Sequence, residues 1–530
     1  MKRILISLLV TASIGFIIYY FTLPAINISS LGFWVFLIGL IILFTLTLLC
    51  LSLDKRGNIV RFEKTLGGSV ILLAVIILGI VCVDLVLSPL FQSKSYSKRI
   101  VVNEEESFTE NVKAVDFNSL PLLDKASSQK LGDRVMGQMP ELVSQFYVSD
   151  LYTQINYNDT IIRVTPLEYN GFFKYLSNKK DGVKGYITVN SVTGESKLVK
   201  LDKGMKYMPS AIFSQDLNRH LRFEYPTKIF GDKSFEIDNE GNPYWIVPTI
   251  KYTGVGLKKE IASVIILDPI TGDSKEYKLE DVPTWVDHVY SADLIIEQVD
   301  DWGQYKDGFL NSIFGQKNVV QTTEGYNYTT MNDDVYLYTG ITSVSTDESN
   351  IGFILTNMRT KETNFYAVPG AEEYSAMDSA KGQVQQMNYE ASFPLLINLN
   401  NRATYLLSLK DAAGLVKMYA FVDVEDYQKV VITDSAKGIK TAAENYINNV
   451  DLEIDKNNMK TKDFQIVSIV QTNIEGTSYY YIKDKEGNKY SVSIKVNKNL
   501  IPFLQAGNDI TIRYNIDKEV IEIEEIELKK

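Results

Sequence analysis

After residue 180 the chain repeats one kind of segment four times: GYITVNSVTGESKLVKL at 185–201, SVIILDPITGDSKEYKL at 263–279, GFILTNMRTKETNFYAV at 352–368 and MYAFVDVEDYQKVVI at 418–432. Each reads as an apolar β-branched run, a polar reversal and a second run, the pattern of a hairpin. An internal repeat reports one supersecondary unit used several times, and that fixes architecture more firmly than any composition.

The flanks repeat too. IIRVTPLEYNG at 161–171 parallels YWIVPTIKYTG at 244–254, and each follows a shorter segment, YTQINYNDT or FEIDNEGNP, with an Asn-Asp or Glu-Gly reversal. The later hairpins turn at Thr193-Gly194-Glu195 and Thr271-Gly272-Asp273, with Gly where the backbone reverses. Between 124 and 146, Leu131, Val135, Met139, Leu142, Val143 and Phe146 draw one helical stripe, and Ile212, Phe213, Leu217 and Leu221 draw a weaker one. One unit is therefore helix, hairpin, hairpin, with the helix covering the apolar face of the sheet.

VYLYTGITSV at 335–344 and TYLLSL at 404–409 precede the third and fourth copies, with helix-compatible stretches at 371–380 and 434–447. The tail differs. Strands FQIVSIVQTNI, TSYYYIKD and KYSVSIKV, a short helix near 500–504 and strands DITIRYNI and VIEIEEIEL give the order of an OB-type small barrel. Tyr479, Tyr480 and Tyr481 could stack on bases. Alternation along a strand accounts for them more simply, and a net charge of -11 argues against nucleic acid as a partner.

A helix followed by an antiparallel sheet whose Val/Ile-rich strand ends in Asp or Asn and then Thr-Gly-acid resembles the PepSY module. VIILDPITGDSKEY is the nearest match, with Asn190 standing where the second copy has Asp268. Arg359-Thr360-Lys361 and Glu425-Asp426 replace the Gly turn in the later copies. The resemblance implies extracytoplasmic modules that bind or regulate, and the wider layout is similar to uncharacterised membrane proteins of Gram-positive bacteria. The expected fold class is α+β, with a membrane anchor over 1–92, a linker over 93–122 and PepSY-like units over 123–203 and 204–283. Diverged β-rich units over 284–450 and an OB-like barrel over 460–530 complete the expectation.

Three apolar runs, 4–22, 31–53 and 69–87, lack Lys and Arg and are each long enough to cross a bilayer. The first is expected to remain as a helix, since Pro24-Ala25-Ile26 is a poor cleavage site. Lys2 and Arg3 precede the first run, Lys55, Arg56, Arg61 and Lys64 follow the second, and 24–30 carries no charge. That bias predicts a cytoplasmic N-terminus and an extracytoplasmic body after about residue 90, with Lys94, Lys98 and Arg99 opposing it. Asp84 is the one acid inside a run, either a functional carboxylate or a solvated interface residue.

Both cysteines, Cys50 and Cys82, lie in apolar runs, so the polar body has neither a disulfide framework nor a cysteine nucleophile. Of two histidines, His220 sits in DLNRHLR and His288 follows Asp287 in VPTWVDHVY; structural roles are expected of both. Calcium could use Asp333 and Asp334 with Asp347 and Glu348, or the turn of Asp238, Asn239, Glu240 and Asn242, but turn formation explains these residues. No catalytic, cofactor or metal motif stands out.

Trp245, Tyr252, Trp285, Trp302, Tyr305 and Phe309 form an aromatic group that either packs a core or lines a groove for a peptide or glycan. The expectation is a non-enzymatic membrane protein, without cofactors, that presents a binding or scaffolding body to an envelope protein or peptide. Regulation of an envelope protease and an unrecognised hydrolase using Asp287 or His288 are the alternatives.

Overall fold

The computed structural model describes residues 2–52, 63–117, 120–331, 334–344, 349–449, 460–474, 477–494, 496–514, 520–523 and 525–529. It divides into two compact units, Met1–Val450 and Asp451–Lys530. The first opens with α1 (Lys2–Thr22), α2 (Leu31–Ser52) and α3 (Glu63–Leu87). Among the described residues these helices are long and apolar enough to cross a membrane. A short helix, α4 (Pro89–Tyr96), leads into the body.

The body repeats one connectivity four times. The first copy runs α5 (Lys125–Gly137), β1 (Thr153–Tyr157), β2 (Thr160–Tyr169), α6 (Phe172–Asn178), β3 (Val183–Asn190) and β4 (Ser196–Met205). The second is α7 (Leu217–Glu224), β5 (Ser234–Ile237), β6 (Pro243–Thr253), β7 (Lys258–Leu267) and β8 (Ser274–Tyr277). The third is α8 (Ala292–Tyr305), β9 (Asn327–Met331), β10 (Asp334–Ser343), β11 (Ser349–Asn357) and β12 (Thr363–Tyr366). The fourth is α9 (Glu373–Gln383), β13 (Leu395–Leu399), β14 (Arg402–Lys410), β15 (Val416–Asp423) and β16 (Val430–Asp434), followed by α10 (Ile439–Asn449).

Within each copy the four strands pair in sequence order as an antiparallel meander, and the recurring hairpin supplies strands three and four. A shorter strand pairs with the far half of strand two in every copy: Phe146–Val148, Ile229–Phe230, Val320–Thr322 and Glu390–Ala391.

Two-sided burial explains the unbroken apolar runs. Along β6 and β7, Trp245, Val247, Ile265 and Leu267 point into a core shared with the first sheet, whereas Ile246, Val264 and Ile266 point into one shared with α8 and the third sheet. Alternate side chains of a strand face opposite ways, so a sheet covered on both faces must be apolar at every position.

The hairpin turns are held by local hydrogen bonds. Asn190, Asp268 and Asn357 each use Oδ1 to accept the N–H groups two and three residues on, while Thr193, Thr271 and Thr360 each accept through Oγ1 from the acid two residues later. The Gly position has φ +77° and +85° in the first two copies; Lys361 adopts +65° in the third. That turn survives without Gly because the Asx bonds fix it.

Some element bounds differ from the sequence reading. The stripe over 124–146 breaks after Gly137: Met139 leaves the helical region, and Pro140 starts a separate turn of helix. Helix α8 was not anticipated, although Leu294, Ile295, Val299 and Trp302 carry the helical spacing.

The segment preceding the first copy crosses the third and fourth before the first begins. Residues Val102–Glu106 pair in parallel with β12, Val115 N–H donates to Asn398, and Asn398 Nδ2 donates to Val112 at 2.7 Å. Asp124 caps α5 through Ser127 N–H and also pairs with Lys410 of β14. Copies one and four are thereby tied together.

The body is fixed to one end of the helical bundle. Ile26 N–H donates to Pro226, Asn27 Nδ2 to Thr227, Arg222 Nε to Leu23 and Arg219 Nε to Tyr20, at 2.8–3.2 Å. Asp84 Oδ1 accepts the Val255 N–H at 2.7 Å. Arg99 pairs with Glu297 and Asp301 of α8, so its position is explained by the body rather than by membrane sidedness. Lys55, Arg56 and Arg61, with the Lys64 side chain, lie outside the described residues.

In the second unit, β17 (Lys460–Gln465), β21 (Asp509–Tyr514) and β23 (Glu525–Leu528) form one sheet. Strands β18 (Ser468–Ile474), β19 (Thr477–Lys483), β20 (Lys489–Ser493) and β22 (Val520–Glu522) form another. The long strand expected over 464–474 is interrupted at Ile466, which turns into the core at 1% exposure. The short helix near 500 is a single 3-10 turn, Ile501–Phe503.

Candidate functional site

The first strands of copies one to three, together with Phe393 just before β13, line an open cavity of 560 Å³. Gln154 comes from β1, Arg163 from β2, Ser234 from β5, Asn327 and Tyr328 from β9, and His288 to Asp293 from the entry to α8. Gly132 makes room for one wall: a Cβ there would stand 2.0 Å from the Tyr152 hydroxyl.

Among the described residues, several polar side-chain atoms of the residues lining the cavity have no hydrogen-bond partner. Arg163 is 5% exposed and its Nε has no hydrogen-bond partner; Gln154 is 2% exposed, and neither amide atom is bonded. A buried unpaired polar group costs about 1–3 kcal/mol, and a charged one more. Burial pulls the Arg163 pKa down to about 10, against the attraction of Asp124. That carboxylate is itself engaged by Lys410 and Ser127, which hold its pKa down against desolvation. Lys233, half-buried on the opposite wall, is likewise pulled down by desolvation.

A second network sets the wall geometry. Glu236, fully buried on β5, accepts from Ser234 Oγ and from the N–H groups of Asp287 and His288. Burial raises its pKa against those three bonds. Asp287 in turn accepts the Asn156 N–H at 2.7 Å. His288 donates from Nε2 to Gln154 O at 2.7 Å and meets the Tyr328 ring edge-on. Its remaining exposed surface opens into the cavity, and burial drives its pKa down to about 4.

The residues singled out from sequence do not converge. Trp245 is fully buried in the core between the first two sheets, its Nε1 donating to Tyr207 O. Trp285 packs on Tyr244; Trp302 lies against Phe365; Tyr305 meets Tyr96 and Phe309; Tyr252 is a half-buried residue of β6. Trp245 packs in the core between the first two sheets, and Trp285 and Trp302 both pack against the core shared with the third sheet.

His220 bonds Gly272 O and lies against the Tyr207 ring, a local contact of the second copy. Asp238 spends both carboxylate oxygens on Glu240 and Asn242 within its own turn. Asp334 is held bidentately by Arg359. Asp333, Asp347 and Glu348 lie outside the described residues. Among the described residues no cluster of His, Cys, Asp and Glu has a metal-binding arrangement.

Arg163 and Gln154 were missed. The signal was present: in IIRVTP a charge interrupts a run buried on both faces, and in TQINY a Gln sits one position into a strand. A cation in such a place calls for a partner.

No family model matches the chain, and no curated protein matches it. Among solved structures it is similar to a GH32 beta-fructofuranosidase of Bombyx mori, in a mutant form with sucrose, at 9% identity and a TM-score of 0.19. The match covers 76% of this chain and 70% of that one. The expected non-enzymatic scaffold for a protein partner is not carried forward, and the likeness to that enzyme is too small to argue from. A likeness of that size brings no activity to this chain in its place.

Proposed function

We propose that this protein is a membrane-anchored receptor whose body binds a small carboxylate-bearing molecule in the cavity around Arg163. The observation that carries the reading is a buried guanidinium with an unpartnered Nε beside a buried Gln154 whose amide is unbonded on both sides. A carboxylate accepts from a guanidinium in a fork that matches its two oxygens. Asp232 and Asp293 at the same cavity disfavour a dianion, and Tyr326, Tyr328 and Phe393 offer apolar walls to the rest of the ligand. A larger hollow of 810 Å³ near Tyr186 is bordered by Lys197, Lys200 and Glu195, but among its described residues no side-chain atom is both buried and unbonded.

The cavity belongs on the extracytoplasmic side in this reading. Support comes from Lys2 and Arg3 before α1, the basic residues 55–64, and an uncharged 24–30 loop at the end of the bundle that carries the body. The PepSY likeness of 123–203 and 204–283 draws support from the order of helix and meander, which recurs over 284–450. Two small sheets around one core support the OB likeness of 460–530.

The test is thermal unfolding of the full chain in nanodiscs against a panel of amino acids and small mono- and dicarboxylic acids. The expected result is a raised Tm for one class of monocarboxylate, abolished in Arg163→Gln. No stabilising carboxylate, or stabilisation that persists in Arg163→Gln, overturns the reading.

A further inference from the structure

The body carries exposed apolar side chains that its fold does not explain, and their placement is not random. Among the described residues of the first unit beyond α3, the exposed phenylalanines are Phe91, Phe172, Phe173, Phe213, Phe223 and Phe314. Phe173 and Phe314 are 77% and 82% exposed. Singly scattered apolar residues, such as the exposed Tyr147, Tyr374 and Tyr427, need no account, but a gathering of exposed phenylalanines does.

Every one of these positions leads back to the end of a span. Arg219 donates from Nε to Tyr20 O in the last turn of α1, lies over the Tyr20 ring at 4.3 Å, and donates from Nη1 to Phe213 O at 2.8 Å. Phe223 meets the rings of Tyr19 and Tyr20. Helix α6, which bears Phe172 and Phe173, is held to the same place because Tyr175 donates to Ile212 O at 2.7 Å.

On the other flank, Tyr96 donates to Leu87 O at the end of α3 and packs on Tyr305, which stacks on Phe309. Immediately afterwards come Leu310 at 67%, Ile313 at 50% and Phe314. Two apolar corners therefore flank the level at which the spans leave the bilayer.

We propose that the body rests on the membrane surface beside its own spans, with the Phe172–Phe173 corner and the 310–314 segment immersed in the interfacial layer. Amphipathic segments bind that layer by apolar burial together with attraction of basic groups to anionic lipid. The exposed Lys179 and Lys180 follow the first corner, and Lys317 follows the second. Continuity with the spans selects a bilayer as the occupant: a soluble partner would have to share these corners with the headgroups around Tyr20 and Leu87. This inference does not depend on what the cavity binds.

The experiment uses the full chain with Cys50→Ala and Cys82→Ala, carrying Phe173→Cys, Phe314→Cys or, as a control, Tyr427→Cys. Tyr427 is 44% exposed at the hairpin tip of the fourth sheet, which makes none of the span contacts. Each cysteine bears an environment-sensitive fluorophore, and the protein sits in nanodiscs with or without lipid carrying a nitroxide near its headgroup. Labels at 173 and 314 are expected to lose most of their fluorescence to the nitroxide lipid while the label at 427 keeps its own. Equal quenching at all three sites, or labels at 173 and 314 shielded from water but not quenched, as by a second copy of the chain, overturns the proposal. Both apolar sites are mostly exposed, so labelling should leave the Tm unchanged, which the same samples report.

Discussion

The Asp84 carboxylate, one turn from the end of the third span, accepts the Val255 N–H at 2.7 Å and so joins the membrane anchor to the β6–β7 turn. The approach requires Gly254, which has φ +67° and where a Cβ would stand 2.6 Å from Asp84 Oδ1. An acid that the sequence leaves as either a functional carboxylate or a solvated interface residue is thus a docking acceptor.

Hydrogen bonds to charged groups contribute about 1.5–3 kcal/mol, so losing this one should speed amide exchange at Val255 by about one to two orders of magnitude. Asp84→Leu and Gly254→Ala should both do so in nanodiscs, measured by hydrogen–deuterium exchange. Asp84→Asn keeps an acceptor and should do so less. Unchanged exchange in Asp84→Leu would show that the contact does not hold the body.

Trp245 separates core from surface. Its ring fills the core between the first two sheets with no exposure, so Trp245→Ala should cost about 3–5 kcal/mol and lower the Tm of the full chain sharply. Trp302→Ala, half-buried on α8 against Phe365, should cost distinctly less. Thermal melts of the two variants side by side check this, and equal shifts would count against the packing described for Trp245.

What the sequence made legible was whatever repeats or has a period. The hairpins, their Asn/Asp and Thr turn residues, the spans and the strand pairs all follow local rules that a single chain displays. Helix α8 is equally legible in the spacing of Leu294, Ile295, Val299 and Trp302.

The cavity was not legible because it is assembled from strands far apart in the chain: Gln154, Ser234, His288 and Tyr328 share no local pattern. Nor could composition separate Trp245, inside a core, from Phe173, on a surface, since both lie in apolar company. Side and depth are set by which neighbour covers a strand face, and that is decided in three dimensions.

Arg163 should prove a liability to the empty protein. Its burial is only partly offset by Asp124, which is itself engaged by Lys410, and replacing buried ionic groups by well-packed apolar side chains is often neutral or stabilising by about 1–4 kcal/mol. Arg163→Met is therefore expected to raise the Tm of the ligand-free chain while removing its response to carboxylates. A lowered Tm would make Arg163 a structural residue and weaken the receptor reading.

His288 predicts a sign for the acid side of the stability profile. Its pKa falls from an ordinary 6.5 to about 4, first because burial disfavours the imidazolium and also because Arg163 stands nearby. Above pH 6.5 both folded and unfolded chains hold it neutral, and its contribution is fully present. As pH falls from about 6.5 through 4, the unfolded chain binds the proton first, so stability is lost over that window, by at most about 3 kcal/mol.

Glu236, which faces His288 through its N–H, has the opposite sign: its pKa is raised by burial, so its contribution is present at low pH and lost as pH rises. The two are separated by His288→Gln, which can retain a donor to Gln154 O without titrating in this range. Between pH 6.5 and 4 the parent's Tm should fall more steeply than that of His288→Gln. Parallel curves would show that His288 does not titrate as its buried position requires.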